Sequence, residues 1–180
     1  MGKRVVDLVK IIIDSKKEIK VAADMTVGGG NDSKYILENT SVERLYGFDI
    51  QKEAREKALS LIGDDERFIF NLRSHAEVDK YIKEGLDLIV YNLGYLPGGD
   101  KTITTSYKTT ILSLEKTLGL LNKDGIIILT IYPGHPAGKV ESEKLEAYLQ
   151  GLDQKKYGLI KIAYPTRPNN PPYIMVIEKN

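Results

Sequence analysis

Apolar runs of strand length alternate with helical segments along most of this chain, and that alternation sharply limits the folds open to it. Lys20 to Met25 reads as a short strand, Leu45 to Asp49 as a second, Arg67 to Asn71 as a third and Leu86 to Tyr91 as a fourth. Gly125 to Tyr132 is a fifth, Ile-rich and central. Between them lie helical segments at Ser33 to Asn39, Gln51 to Ile62, Ala76 to Glu84 and about Thr105 to Leu121. Ahead of the first strand, Val5, Leu8, Val9, Ile12 and Ile13 recur at helical spacing within Lys3 to Ser15, which suits a helix covering one sheet face. Strands that alternate with helices pair in parallel, with helices on both faces. The chain ends differently. After a helix from Val140 to Gln150, strand-like Tyr157 to Tyr164 and Tyr173 to Glu178 are separated only by Pro165 to Pro172, too short for a crossover helix. These two strands should therefore form an antiparallel hairpin. The expected fold class is α/β, a mostly parallel seven-stranded sheet with an antiparallel C-terminal hairpin and helices on both faces.

With 180 residues and 42% hydrophobic content, the chain is long enough for one sizeable core and short for two, so 1–180 is read as a single domain. The absence of cysteine excludes disulfides, thiolate metal sites and a cysteine nucleophile, and two histidines argue against an ordinary zinc site. No metal is expected. No apolar run reaches membrane-spanning length, and the N-terminus lacks a signal-peptide core, so the expected location is cytoplasmic with no membrane partner. A net charge of +1 gives only weak support for a nucleic-acid partner. Lys101, Lys108, Lys116, Lys139, Lys155, Lys156 and Arg167 lie on or after loops in the second half. They either converge on one rim or form an ordinary solvated surface.

Ligands of open α/β sheets sit beyond the carboxyl ends of the strands, which directs attention to the strand-end loops. Asp24-Met25-Thr26-Val27-Gly28-Gly29-Gly30 has an acidic strand end and glycines that permit tight turns and close approach to a ligand. A plain turn is the bland alternative. Asp49, roughly twenty residues on, is placed to accept hydrogen bonds from ribose hydroxyls, with Gln51 beside it. The loop lacks the Gly-Lys-Ser/Thr ending of a triphosphate cradle, whereas Asp24 and Asp32 suit the ammonium of a zwitterionic tail such as that of S-adenosylmethionine. Ser74 and His75 precede a helix, as cap and surface residue or as cofactor contacts. Asn92 ends the fourth strand and enters Leu93-Gly94-Tyr95-Leu96-Pro97-Gly98-Gly99-Asp100-Lys101, where its amide can tie its own turn or orient an amine acceptor. Tyr132-Pro133-Gly134-His135-Pro136-Ala137-Gly138-Lys139 is a third such loop, with His135 as a candidate base or anion contact. Tyr91, Tyr95 and Tyr132 are candidates for base stacking or simply for packing.

Five βα units closed by a hairpin are the plan of Rossmann-like class I methyltransferases. Asn92 to Lys101 together with the Tyr-Pro-Gly-His-Pro-x-Gly-Lys run at Tyr132 to Lys139 resembles, more narrowly, a small bacterial family of them long labelled rRNA methylases. Members look like tRNA enzymes that methylate the amine of 5-aminomethyl-2-thiouridine at the wobble position. The resemblance covers nearly the whole chain. It implies S-adenosylmethionine held by the Asp24 to Asp32 loop, Asp49, Gln51, Ser74 and His75, with the acceptor near Asn92. The family's first loop usually reads Asp-Ala-Thr-x-Gly-Asn-Gly-His-Asp-Thr. This chain keeps Thr26, Gly28, Gly30 and Asp32 but places Met25, Gly29, Asn31 and Ser33 at the variable positions. The resemblance also implies a cofactor contact at Asn31. The N-terminal segment also looks short for the family.

On this reading Asn92 and His135 are the catalytic candidates, and Asn92 is also counted among the cofactor-binding residues. Substrate recognition falls to Gly94, Tyr95, Leu96, Pro97, Lys101, Tyr132, His135 and Lys139, and the compact partner that fits is a tRNA anticodon stem-loop. Ribosomal RNA or another amine is the alternative acceptor. A non-catalytic cofactor-binding partner of a modification enzyme and a nicotinamide oxidoreductase are the rival classes. The N-terminal helix serves equally to cover a sheet face or to make a homodimer contact.

Overall fold

The computed structural model describes residues 4–94, 96, 98–100 and 102–180. The elements run α1 (Val5–Ser15), β1 (Val21–Asp24), α2 (Asn31–Asn39), β2 (Arg44–Asp49), α3 (Lys52–Ile62), β3 (Phe68–Leu72), a 3₁₀ turn (His75–Glu77), α4 (Val78–Tyr81), β4 (Leu86–Asn92), α5 (Tyr107–Leu120), β5 (Leu121–Ile131), α6 (Pro136–Gln150), β6 (Tyr157–Ile162) and β7 (Tyr173–Lys179). One seven-stranded sheet has the order β3-β2-β1-β4-β5-β7-β6. The first five strands are mutually parallel, and β7 inserts antiparallel between β5 and β6. This is the Rossmann-like class I methyltransferase fold expected from the sequence. The middle strand is β4, and β5 is interior beside it, flanked by β4 and β7, with β6 at the edge.

Period-two alternation splits β4 and β5 between two cores. Ile89, Tyr91, Ile127 and Leu129 face Val78, Leu114, Leu118, Leu145 and Leu149 of α4, α5 and α6. Leu88, Val90, Ile126 and Ile128 face Val5, Val9 and Ile13 of α1 and Ile36 and Leu37 of α2. Burial on both faces explains why these strands read as continuous apolar runs. The apolar stripe of α1 is thus used against its own sheet.

Boundaries differ from the sequence reading where tertiary contacts decide them. The expected Ala76 to Glu84 helix is one 3₁₀ turn followed by a single helical turn. Helix α6 starts four residues early, at Pro136 rather than Val140, because the His135 side chain caps it: Nδ1 accepts the Gly138 N–H at 3.1 Å. Gly138 permits this packing, since a Cβ there would stand 2.0 Å from the Tyr132 carbonyl oxygen.

Candidate functional site

Parallel pairing places the carboxyl ends of β1 to β5 at one edge of the sheet, and the loops leaving them converge there. Strand β7 begins at the same edge, with Tyr173 opposite Ile131. A cavity of about 1160 Å³ opens among these loops. Ligand pockets usually span roughly 300–1,000 Å³, so there is room for two ligands side by side.

The loop after β1 forms one wall. Asp24 is 1% exposed, and its carboxylate is used internally, accepting the Thr26 N–H at 3.1 Å and the Ser33 hydroxyl at 2.7 Å. Burial, reinforced by the charge of Asp32, pushes its pKa up to about 7. Asp24 therefore braces the loop from beneath and is not on the cavity lining, contrary to the direct ammonium contact expected of it. Gly30 is likewise structural: its φ of +85° starts α2, and a Cβ would meet the Cα of Ala58 at 2.9 Å. Thr26, Gly28, Asn31 and Asp32 do line the cavity. The Thr26 hydroxyl accepts the Asn92 N–H at 2.6 Å, tying the ends of β1 and β4 together. Asp49 accepts the Gly28 and Gln51 N–H groups, each at 2.9 Å, and lines the cavity beside Gln51 and the 60% exposed Ile50.

The loop after β3 supplies Ser74 and His75. Ser74 accepts the Ala76 N–H at 3.2 Å as a cap, and both residues border the cavity. His75 is buried rather than a surface residue. Its Nδ1 lies 3.0 Å from the Met25 carbonyl, which can only accept, so the proton sits on Nδ1. Burial holds the imidazole pKa below its ordinary value, leaving a neutral ring. Its Nε2 is then a buried acceptor with no partner among the described residues. A buried polar atom left so at a cavity wall is what a ligand donor would satisfy.

Across the cavity, the Asn92 Nδ2 donates to Asp32 at 3.3 Å, which leaves Oδ1 to face a ligand. Asp32 is held above the usual carboxylate range by burial, partly offset by that bond. Gly94 pairs with Thr105 twice: its N–H donates to the Thr105 hydroxyl at 3.0 Å, and its carbonyl accepts the Thr105 N–H at 2.9 Å. The Thr105 hydroxyl in turn donates to Glu141 at 2.6 Å, and Thr110 donates to the same carboxylate at 3.0 Å. Glu141 is 4% exposed, and burial raises its pKa. The loops after β4 and β5 are thus joined through one buried carboxylate that sequence reasoning missed; a Glu within an amphipathic helix carries no local mark of burial.

Leu96, Tyr132 and His135 line this half of the cavity. Because the His135 Nδ1 lone pair is occupied by the Gly138 N–H, the neutral ring carries its proton on Nε2. In that state it is a donor, and acting as a base would require breaking the helix cap. Lys139 is exposed on α6 and off the lining. Tyr95, Pro97 and Lys101 lie outside the described residues. The described members of the basic set do not converge on one rim. Lys116 pairs with Asp79 at 2.7 Å, and Lys155 and Lys156 precede β6, whose start lies at the opposite edge of the sheet.

The terminal hairpin contributes a wall, as its place beyond the fifth strand suggests, and the N-terminal segment adds one that was not anticipated. Arg4, Val6 and Lys10 of the N-terminal segment border the cavity, as do Asn169 to Pro172 from the link between β6 and β7. Arg73, Ile103, Thr104, Ser106 and Thr109 also line it. Among the described residues, no group of three or more His, Asp or Glu side chains is placed to hold a metal, and no helix is long and apolar enough to cross a membrane.

The family described as "Putative rRNA methylase" matches residues 45–178. A chloroplastic tRNA (mnm(5)s(2)U34)-methyltransferase of Arabidopsis thaliana is 33% identical over 171 residues; the match covers 87% of this chain and 62% of that protein. The chain thus spans less than two thirds of that relative's length. A "putative rRNA-methylase" structure from Clostridium thermocellum superposes with a TM-score of 0.95 at 33% identity, covering 100% of both chains. A "putative methyltransferase" from Streptococcus mutans, solved in complex with SAH, superposes with a TM-score of 0.89 at 26% identity over 100% of both chains.

Proposed function

This chain belongs to the rRNA methylase family, and from that premise we propose that it is an S-adenosylmethionine-dependent RNA methyltransferase acting on an amine nitrogen. The observation that carries the reading is the cavity itself, which has room for two ligands and is lined by Asp32, Asp49 and His75 as well as by Asn92, Tyr132 and His135. The donor set fits the cofactor. On this reading Asp49 and Gln51, both on the lining, take the ribose hydroxyls, Asp32 takes the ammonium, and the His75 Nε2 accepts one N–H or O–H donor. When bound, S-adenosylmethionine supplies a methyl group on a sulfonium centre.

The protein's contribution is alignment in a pocket poor in water. The acceptor amine must be neutral to attack, and desolvation in the pocket disfavours its protonated form. Asn92 Oδ1, left outward by the bond from Nδ2 to Asp32, accepts the acceptor N–H and points the nitrogen lone pair along the line of transfer. An amine that received this methyl would carry one surplus proton, which would pass to water. His135 donates its Nε2–H to a substrate oxygen rather than serving as base. Tyr132, kept protonated by burial and by the charge of Asp32, walls the acceptor.

The favoured acceptor is 5-aminomethyl-(2-thio)uridine at the tRNA wobble position, giving the 5-methylaminomethyl form. The name of the 33% identical Arabidopsis relative supports it, and a single anticodon loop suits one cavity. Ribosomal RNA is the second reading, supported by the family description. The test is methyl transfer from labelled S-adenosylmethionine to tRNA carrying 5-aminomethyl-2-thiouridine, with rRNA in parallel, read by mass spectrometry of the digested nucleosides. One added methyl on that nucleoside alone supports the tRNA reading. Label in rRNA only moves the substrate, and binding of cofactor with no transfer to either RNA refutes the enzyme reading.

A further inference from the structure

Beside the main cavity lies a second one of about 350 Å³ that the chemistry above does not use. The two share Asn169, Asn170 and Pro171 as a partition. That partition is held in an unusual backbone: Asn169 and Asn170 have φ of +63° and +46°, two consecutive non-glycine residues in the left-handed region. On its far side, the Arg167 guanidinium stacks 3.7 Å from the centre of the Tyr164 ring, and Lys161 Nζ stands 4.4 Å over the ring of Tyr173 while pairing with Glu146 at 2.7 Å. A guanidinium laid flat on an aromatic ring still presents N–H groups around its edge, the geometry that suits a phosphate. With one ring covered by Lys161 and the other by Arg167, the outer face of the guanidinium plane is the stacking surface for a base.

We propose that this side cavity binds the nucleotide adjacent to the acceptor nucleotide in a single-stranded RNA segment, its phosphate against Arg167 and Lys161 and its base against the Tyr164 and Arg167 plate. The inference rests on the RNA-methyltransferase reading and extends it from one nucleotide to two. The volume is that of a small-ligand site, sufficient for one nucleotide and not for a folded RNA element. The shared partition makes adjacency physical, because a strand whose acceptor base enters the main cavity beside Asn170 must pass its next phosphate over that wall. Asn169 and Asn170 then act as the divider that keeps neighbouring bases unstacked.

The experiment is steady-state methyl transfer to an RNA stem-loop bearing the acceptor in its loop, at several salt concentrations, with cofactor affinity measured in parallel. Arg167→Glu should raise KM for the RNA about tenfold, leave kcat and cofactor Kd within about twofold, and flatten the dependence of log KM on log salt by about one. Tyr164→Leu should raise KM with the salt slope retained, since it removes stacking and not charge. Unchanged KM in both variants, or a loss of kcat and cofactor affinity alongside KM, overturns the side-cavity assignment while leaving the methyltransferase reading in place. Absence of transfer by the unsubstituted protein to any RNA overturns both.

Discussion

Cofactor binding should release a proton from Asp24, although that residue does not touch the ligand. Its carboxyl is buried with a pKa of about 7, raised by burial and then by the neighbouring charge of Asp32. A cationic group seated against Asp32 at roughly 6 Å from Asp24 would interact with it by about 2.8 kcal/mol at an effective dielectric of about 20, some two pKa units. Asp24 would then fall to about 5, so that near pH 7 about half a proton leaves per cofactor bound. Cofactor Kd should weaken about tenfold between pH 8 and pH 6. Isothermal titration calorimetry in buffers of different ionisation enthalpy reads the proton count directly. The amino group of the cofactor titrates nearby, so the measurement needs Asp24→Asn as its reference. Asparagine can keep the acceptor for the Thr26 N–H through Oδ1 and turn Nδ2 to the Ser33 hydroxyl, while losing the titration. The difference between the two proteins isolates Asp24. Identical proton counts and identical pH profiles would refute the argument.

The same residue sets a stability difference. A carboxyl whose folded pKa lies above its unfolded value stabilises the fold fully below about pH 4, and that contribution is lost as the pH rises through about 7. Asp87, held low by Asn122 and by the Lys20 and Val21 N–H groups, acts in the opposite sense. Urea unfolding should therefore show the stability of Asp24→Asn relative to the unsubstituted protein rising with pH, by at most about 4 kcal/mol. Asn92→Ala should lower kcat about a hundredfold and weaken cofactor binding by much less, because it removes acceptor alignment together with the Nδ2 bond to Asp32; intact turnover would eliminate the role given to its Oδ1. Gly30→Ala should cost about 1–3 kcal/mol in unfolding experiments, since the new methyl would meet the backbone of Ala58 at a left-handed position. Glu141→Ala should lower kcat and stability together, because Thr105 loses the acceptor that fixes it against Gly94; a KM effect alone would contradict that linkage.

The alternation of elements and the closing hairpin were legible because their signals are local: apolar period, strand length, and a link too short to cross over. The strand-end loops were legible for the same reason, and parallel pairing then brings Thr26, Asp49, His75, Asn92 and His135 to one edge. Local pattern could not say which of those side chains face outward. Asp24 and Gly30 carry the expected residue types but lie under the loop or against α3. His135 has the chemistry of a base yet spends its lone pair on a helix cap three residues away.

By itself, then, the order of residues determines which segments become strands and helices and which loops end at the ligand edge, since those outcomes depend on neighbours within a few positions. Only the tertiary structure decides what the cavity is made of. Arg4 and Lys10 reach it from α1, Asn169 to Pro172 close it from beyond β6, and Glu141 clamps two loops through Thr105. Each of these contacts joins residues far apart in the chain, and burial, protonation and hydrogen-bond partnership are properties of such contacts rather than of the residues alone.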